Sequence, residues 1–95
     1  MEDVLAELYA VIQERKETQP EESYTASLLT HEKGEDAALE KLGEETTELL
    51  LAVKNEDDDE IVHEAADIVY HLLVVLAMTD VELETVRAEL ERRRG

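Results

Sequence analysis

The run Ile68 to Met78 constrains the fold more than any other stretch of the chain. Broken only by Tyr70 and His71, it is apolar nearly all the way round a helix, the pattern of a helix surrounded by others instead of lying on a surface. On its own it stops well short of the ~20 residues that a membrane span requires. Such a helix needs neighbours, and 95 residues with neither Phe nor Trp supply few of them. The expectation is one all-α domain over residues 1–95, an antiparallel bundle of about four main helices plus a short one. Its core would be completed by homodimerisation, or in a higher homo-oligomer, with Ile68 to Met78 at the dimer core.

The other segments fit that architecture. Helix formers dominate, only three Gly and one Pro occur, and no segment alternates polar and apolar residues as a half-buried strand would. Val4, Leu5, Leu8, Val11 and Ile12 recur at helical spacing in a first helix that ends before Thr18, Gln19 and Pro20. Ser23 is suited to cap a short helix from Tyr24 to Thr30, and a loop with His31 and Gly34 follows. A long helix spans about Glu35 to Asn55, with Leu39, Leu42, Leu49, Leu50 and Val53 on one broad side and Gly43 as an interruption. Asp57 or Asp58 caps the next helix, which runs to about Met78. Thr79 with Glu82 resembles a capping box for a last helix whose inward face is Val81, Val86 and Leu90. Arg92, Arg93 and Arg94 close it, where cations complement the negative end of the helix dipole.

A formal charge of −17, from 26 Asp and Glu against 9 Lys and Arg, opposes general attraction to nucleic acid or to an anionic membrane. Cations are the natural partners, and the acidity also suits a heavily solvated surface in high salt. The absence of Cys removes disulfides, thiolate zinc sites and cysteine nucleophiles, and it accords with a reducing compartment. No signal peptide precedes the first helix, so a soluble, cytoplasmic protein is expected.

The chemistry-bearing feature is a set of carboxylates. Glu44, Glu45 and Glu48 lie on the long helix, and Glu64 and Asp67 on the next. Residues three or four apart share a helix face, so Glu45 with Glu48 and Glu64 with Asp67 each form a two-carboxylate step. Glu48 lies nine positions before Asp57 and Glu64 seven after it, so antiparallel helices with axes ~8–10 Å apart can set the two steps opposite each other. Acids that border an apolar face repel one another unless they take up protons or a cation neutralises them. Oxygen-only ligands favour magnesium, manganese or calcium over zinc. In a chain with so many acids, such spacings also arise on a merely solvated helix.

Basic residues are scarce, which makes Lys33, Lys41 and Lys54 noticeable as phosphate contacts. Lys41 pairing with Glu45 and Lys54 at a helix C-terminus serve local structure equally well. Ser23, Tyr24 and Thr25 offer three hydroxyls in a row, as a cap or as a ligand-binding edge. His71 is a core histidine or a site residue, while His31 and His63 form no metal spacing with another His.

The stretch Lys41-Leu-Gly-Glu-Glu-Thr-Thr-Glu48, followed by Glu64-Ala-Ala-Asp67-Ile-Val-Tyr-His-Leu-Leu-Val75, resembles the signature of the all-α nucleoside triphosphate pyrophosphatases, an EExxE helix before an ExxD helix. The Tyr-His-Leu-Leu-Val continuation, with Pro20 and Ser23-Tyr-Thr25 upstream, is similar to the phosphoribosyl-ATP pyrophosphohydrolase branch of histidine biosynthesis, over nearly the whole chain. That resemblance implies a magnesium-dependent enzyme (manganese being a possible substitute) with Glu45, Glu48, Glu64 and Asp67 as ligands. Glu44 is then a catalytic base, an outer residue or a ligand to a second ion. Ser23, Tyr24, Thr25, Lys41, Lys54 and His71 are implied as contacts for the nucleotide's phosphate or ribose. Two other readings compete: a pyrophosphatase of nonstandard or deoxynucleoside triphosphates, and a non-enzymatic acidic helical dimerisation module.

Overall fold

The computed structural model describes residues 3–18, Thr25 and residues 34–95. Its helices are α1 (Val4–Thr18), α2 (Gly34–Lys54), α3 (Asp58–Met78) and α4 (Leu83–Arg94), with no strand among the described residues. The expected short helix from Tyr24 to Thr30 lies outside them, apart from Thr25, which is helical.

α2 and α3 form a hairpin whose turn is set by backbone bonding. Glu56 sits at φ 56°, and beyond it the Asp57 amide donates back to Ala52 O at 3.1 Å. That six-to-one bond closes α2. Asp57 then opens α3, its carboxylate accepting from the Glu60 amide at 3.2 Å. Asp58, Asp59 and Glu60 place negative charge on the first turn, where the helix dipole is positive.

The seam of α2 is Ala38, Glu45 and Ala52, all buried and seven residues apart. The two alanines let α3 approach closely. Leu39, Leu50 and Val53, expected on the packed side, are exposed instead: Leu39 and Val53 each lie one position, or about 100°, beyond a seam residue, and Leu50 lies about 140° round the helix from Glu45.

α1 lies against the second half of α3. Tyr9 and Ile12 join Ala38, Leu73, Val74, Ala77 and Leu83 in the core, where full burial of Ile12 or Val74 contributes roughly 1.5–3 kcal/mol. Polar contacts fix the docking: Tyr9 OH donates to Val81 O at 2.7 Å, and Lys16 Nζ donates to Ala77 O at 2.9 Å and pairs with Asp80 at 2.6 Å. Val4, Leu5 and Val11, expected inside, are exposed.

Two further expectations need correction. Thr79 ends α3 and does not begin α4: its hydroxyl donates to Val75 O at 2.9 Å, and the N-cap of α4 is Glu82, without a side-chain cap bond. On α4 the buried residue is Leu83, with Val86 half-buried and Val81 and Leu90 exposed. The apolar run of α3 is covered in part within the single chain: Leu73, Val74 and Ala77 are buried, while Val69 and Leu72 are exposed. The whole 21-residue helix is long and apolar enough by length and composition to cross a membrane, yet it carries the buried Glu64 and His71 on the side of α2. Arg92 and Arg93 pair with Glu89, and Arg94 with Glu91, all within α4.

Candidate active site

The hairpin sets the two carboxylate steps opposite each other. Asp67 comes within hydrogen-bonding reach of Glu45, and Glu48 within reach of Glu64. Two of the four are almost fully enclosed, Glu45 at 6% and Glu64 at 5% exposure. Glu45 Oε1 and Glu64 Oε2 are buried and make no hydrogen bond. Burial pushes both carboxyls above the ordinary glutamate range, reinforced at Glu45 by Asp67 and at Glu64 by Glu48.

Behind Glu45 stands His71, itself 6% exposed. Its Nδ1 is 3.1 Å from the Asp67 carbonyl and 2.6 Å from Glu45 Oε1, the latter without hydrogen-bond alignment. The imidazole opposes the upward shift of Glu45 without overcoming it. Its position is beneath the carboxylates, not at the surface.

His63, set aside in the sequence because no second His pairs with it, lies at the rim. Its Nε2 is 3.2 Å from Asp67 Oδ2 and 3.9 Å from Glu64 Oε1. His63, Glu64 and Asp67 each offer one ligand atom, all within 4.8 Å of one another, an arrangement able to hold a metal ion. The i,i+4 spacing of His63 and Asp67 is the signal that could have found it.

The other expected residues are more scattered. Glu44 is exposed, its carboxylate 4.0 Å from Lys41 Nζ, so Lys41 pairs toward Glu44 and not Glu45. Lys54 is exposed at the end of α2, six positions past Glu48, which turns it about 240° around the helix. Thr25 meets the hydroxyl of Tyr70. Ser23, Tyr24 and Lys33 lie outside the described residues. A pocket of about 220 Å³ opens beside the carboxylates, lined by Glu48, Leu51, Ala52, Asn55, Asp57, Glu60 and Glu64. Drug-sized ligands fill roughly 300–1,000 Å³, so this space suits a phosphate group better than a whole nucleotide.

The donor set fits a hard divalent cation. Oxygen atoms dominate it, two of them are buried without hydrogen bonds, and carboxylates so placed are costly to ionise with no positive charge between them. Fold and site together define an all-α protein with a carboxylate centre, of a kind able to hold a cation, between two antiparallel helices. The sequence model of the family described as phosphoribosyl-ATP pyrophosphohydrolase matches residues 5–94, and the chain belongs to that family. It is 69% identical over 93 residues to a protein of Natronomonas pharaonis, covering 98% of this chain and 92% of that one. A Haloarcula marismortui protein is 64% identical over 92 residues, covering 97% and 94%. A Methanocella arvoryzae protein is 53% identical over 94 residues, covering 99% of each. All three relatives are named phosphoribosyl-ATP pyrophosphatase.

Proposed function

We propose that this chain, acting as a single domain over its whole length, hydrolyses phosphoribosyl-ATP to phosphoribosyl-AMP and pyrophosphate in histidine biosynthesis. The observation that carries the chemistry is the meeting of Glu45 with Asp67 and Glu48 with Glu64, with two buried oxygens lacking hydrogen bonds. The choice of substrate rests on the family and on the names of its relatives.

Glu45, Glu48, Glu64 and Asp67 hold magnesium, with manganese as a workable substitute because the donors are oxygen atoms. When bound, the ion draws electron density from the phosphoanhydride and neutralises charge on the leaving pyrophosphate. Glu44 stands beside that group with its carboxylate in solvent, where it orients the attacking water and accepts its proton. Lys41, next to Glu44, meets phosphate oxygens. Ser23, Tyr24 and Thr25 supply further phosphate or ribose contacts. Lys54 is a weaker contact, since it faces away from Glu48. His71 acts through Glu45, which it holds from behind.

The working protein is a cytoplasmic homodimer whose partner is the small nucleotide, not nucleic acid or membrane. Support for a second copy is an apolar face on α2 and α3, where Leu50 is 62% exposed and Leu39, Val53, Val62, Val69 and Leu72 are also exposed.

The test is incubation of the purified protein with phosphoribosyl-ATP, with and without magnesium, to measure phosphoribosyl-AMP and pyrophosphate. Both products form only with magnesium, and Glu48→Gln and Asp67→Asn each abolish turnover while retaining helix content. Full activity in both variants removes the proposed site. Preference for free deoxynucleoside triphosphates over phosphoribosyl-ATP overturns the substrate.

A further inference from the structure

The hydroxyl of Thr25 meets the phenol of Tyr70, 45 positions along the chain and on the helix that carries Glu64 and Asp67. Tyr70 is half-buried and packs against the core, so its ring is fixed by neighbours that have no part in substrate binding. It follows Asp67 by three positions, which puts it on the same side of α3 and ~4.5 Å further along the axis. Its ring stands edge to face with that of His71, centroids 5.0 Å apart at 80°. His71 in turn lies 2.6 Å from Glu45 Oε1. One path of contacts therefore runs from Thr25 through Tyr70 and His71 to the carboxylate centre.

We infer that Tyr70 is a positioning residue: its hydroxyl holds Thr25 in register with the carboxylates and so sets the affinity for the nucleotide. The inference rests on the proposed function, with Thr25 as a contact for phosphate or ribose. A residue fixed by the core is well placed to orient another. A hydrogen bond of this kind, lost with no change in ring packing, weakens substrate binding equally in the ground state and the transition state. KM rises and kcat is unchanged.

Tyr70→Phe removes only the hydroxyl. With magnesium and phosphoribosyl-ATP it raises KM roughly threefold to tenfold, the usual worth of one hydrogen bond, and leaves kcat within about twofold. Thr25→Val raises KM at least as far, since it loses the substrate contact as well, Thr25→Ser restores a KM near the wild-type value, and the double variant Tyr70→Phe/Thr25→Val is no worse than Thr25→Val alone. Circular dichroism checks that each variant keeps its helices. Wild-type turnover with an unchanged KM in Tyr70→Phe overturns the positioning role alone, as does additivity in the double variant or failure of Thr25→Ser to restore KM. Absence of wild-type turnover overturns the functional reading and the positioning role with it.

Discussion

Glu45 and Glu64 are buried where an ionised carboxylate is costly, and each has a second carboxylate beside it. Both carboxyls are raised in the folded chain above their unfolded value, near ~4.3. The folded state then binds protons more tightly than the unfolded one. Their contribution is fully present below the unfolded pKa and is lost as pH rises through the folded values. Thermal unfolding in a chelator is therefore expected to show a falling midpoint as pH climbs out of the ordinary glutamate range, and Glu64→Gln flattens that fall. Magnesium replaces the protons, so its stabilising effect is larger near about pH 8 than near about pH 5. An equal magnesium effect at both pH values would remove the ion from between these glutamates. The four carboxylates were legible because helix periodicity and turn length determine which acids can face each other. His63 was not, since its partners are carboxylates and not a second His, and Lys41 prefers Glu44 to Glu45 by a choice of rotamer that spacing alone cannot settle.

Both short connectors are built alike. In each, a helix ends with an acidic residue in the left-handed region, Glu56 at φ 56° and Asp80 at φ 59°, and the next amide donates five residues back. Glycine is the usual occupant of that position because a Cβ is disfavoured there. Asp80 has compensation in its ion pair with Lys16. At Glu56 the substitution Glu56→Gly is expected to stabilise the chain by about 1 kcal/mol in urea unfolding, while Glu56→Gln, which removes the charge but keeps the Cβ, gains much less. Equal gains in the two variants would assign the effect to charge and not to backbone strain. The limits of α2 and α3 were legible to within a residue or so because Asp57 announces the start of α3 by residue type, whereas the N-cap of α4 falls three residues beyond the Thr79 expected for it. The direction each helix faces was less legible: the α2 seam is made by Ala38 and Ala52, small residues that hydrophobic patterning ranks below Leu39, Leu50 and Val53. Thr79 has the residue type of a cap, but the 2.9 Å bond from the Val81 amide to Leu76 O commits it to the end of α3.

For the whole molecule, charge and apolar surface make separate demands. With a formal charge of −17, self-repulsion opposes compaction, and screening within a Debye length of ~3 Å at 1 M salt relieves it. The unfolding midpoint is expected to rise steadily with KCl well beyond 0.15 M, and a flat response would show that the surface charges are already balanced in the folded chain. The apolar surface asks for a partner. Leu39 and Val53 each follow a buried seam residue of α2, and Leu72 follows the buried His71 of α3. In antiparallel helices, residues one step past the seam emerge on the same side of the pair, because the two helices turn in opposite senses when seen from one end. Leu39, Leu50 and Val53 therefore share a face with Val62, Val69 and Leu72, and α1, which docks through Leu73, Val74 and Ala77, does not cover it. Leu50→Glu places a charge on that face at a position already open to solvent in the single chain, so the fold itself loses little. Analytical ultracentrifugation at micromolar concentration should find the wild type as a dimer and Leu50→Glu as a monomer with its helix content kept. A wild type that sediments as a monomer, or a Leu50→Glu variant that still dimerises, would take the second copy off this face.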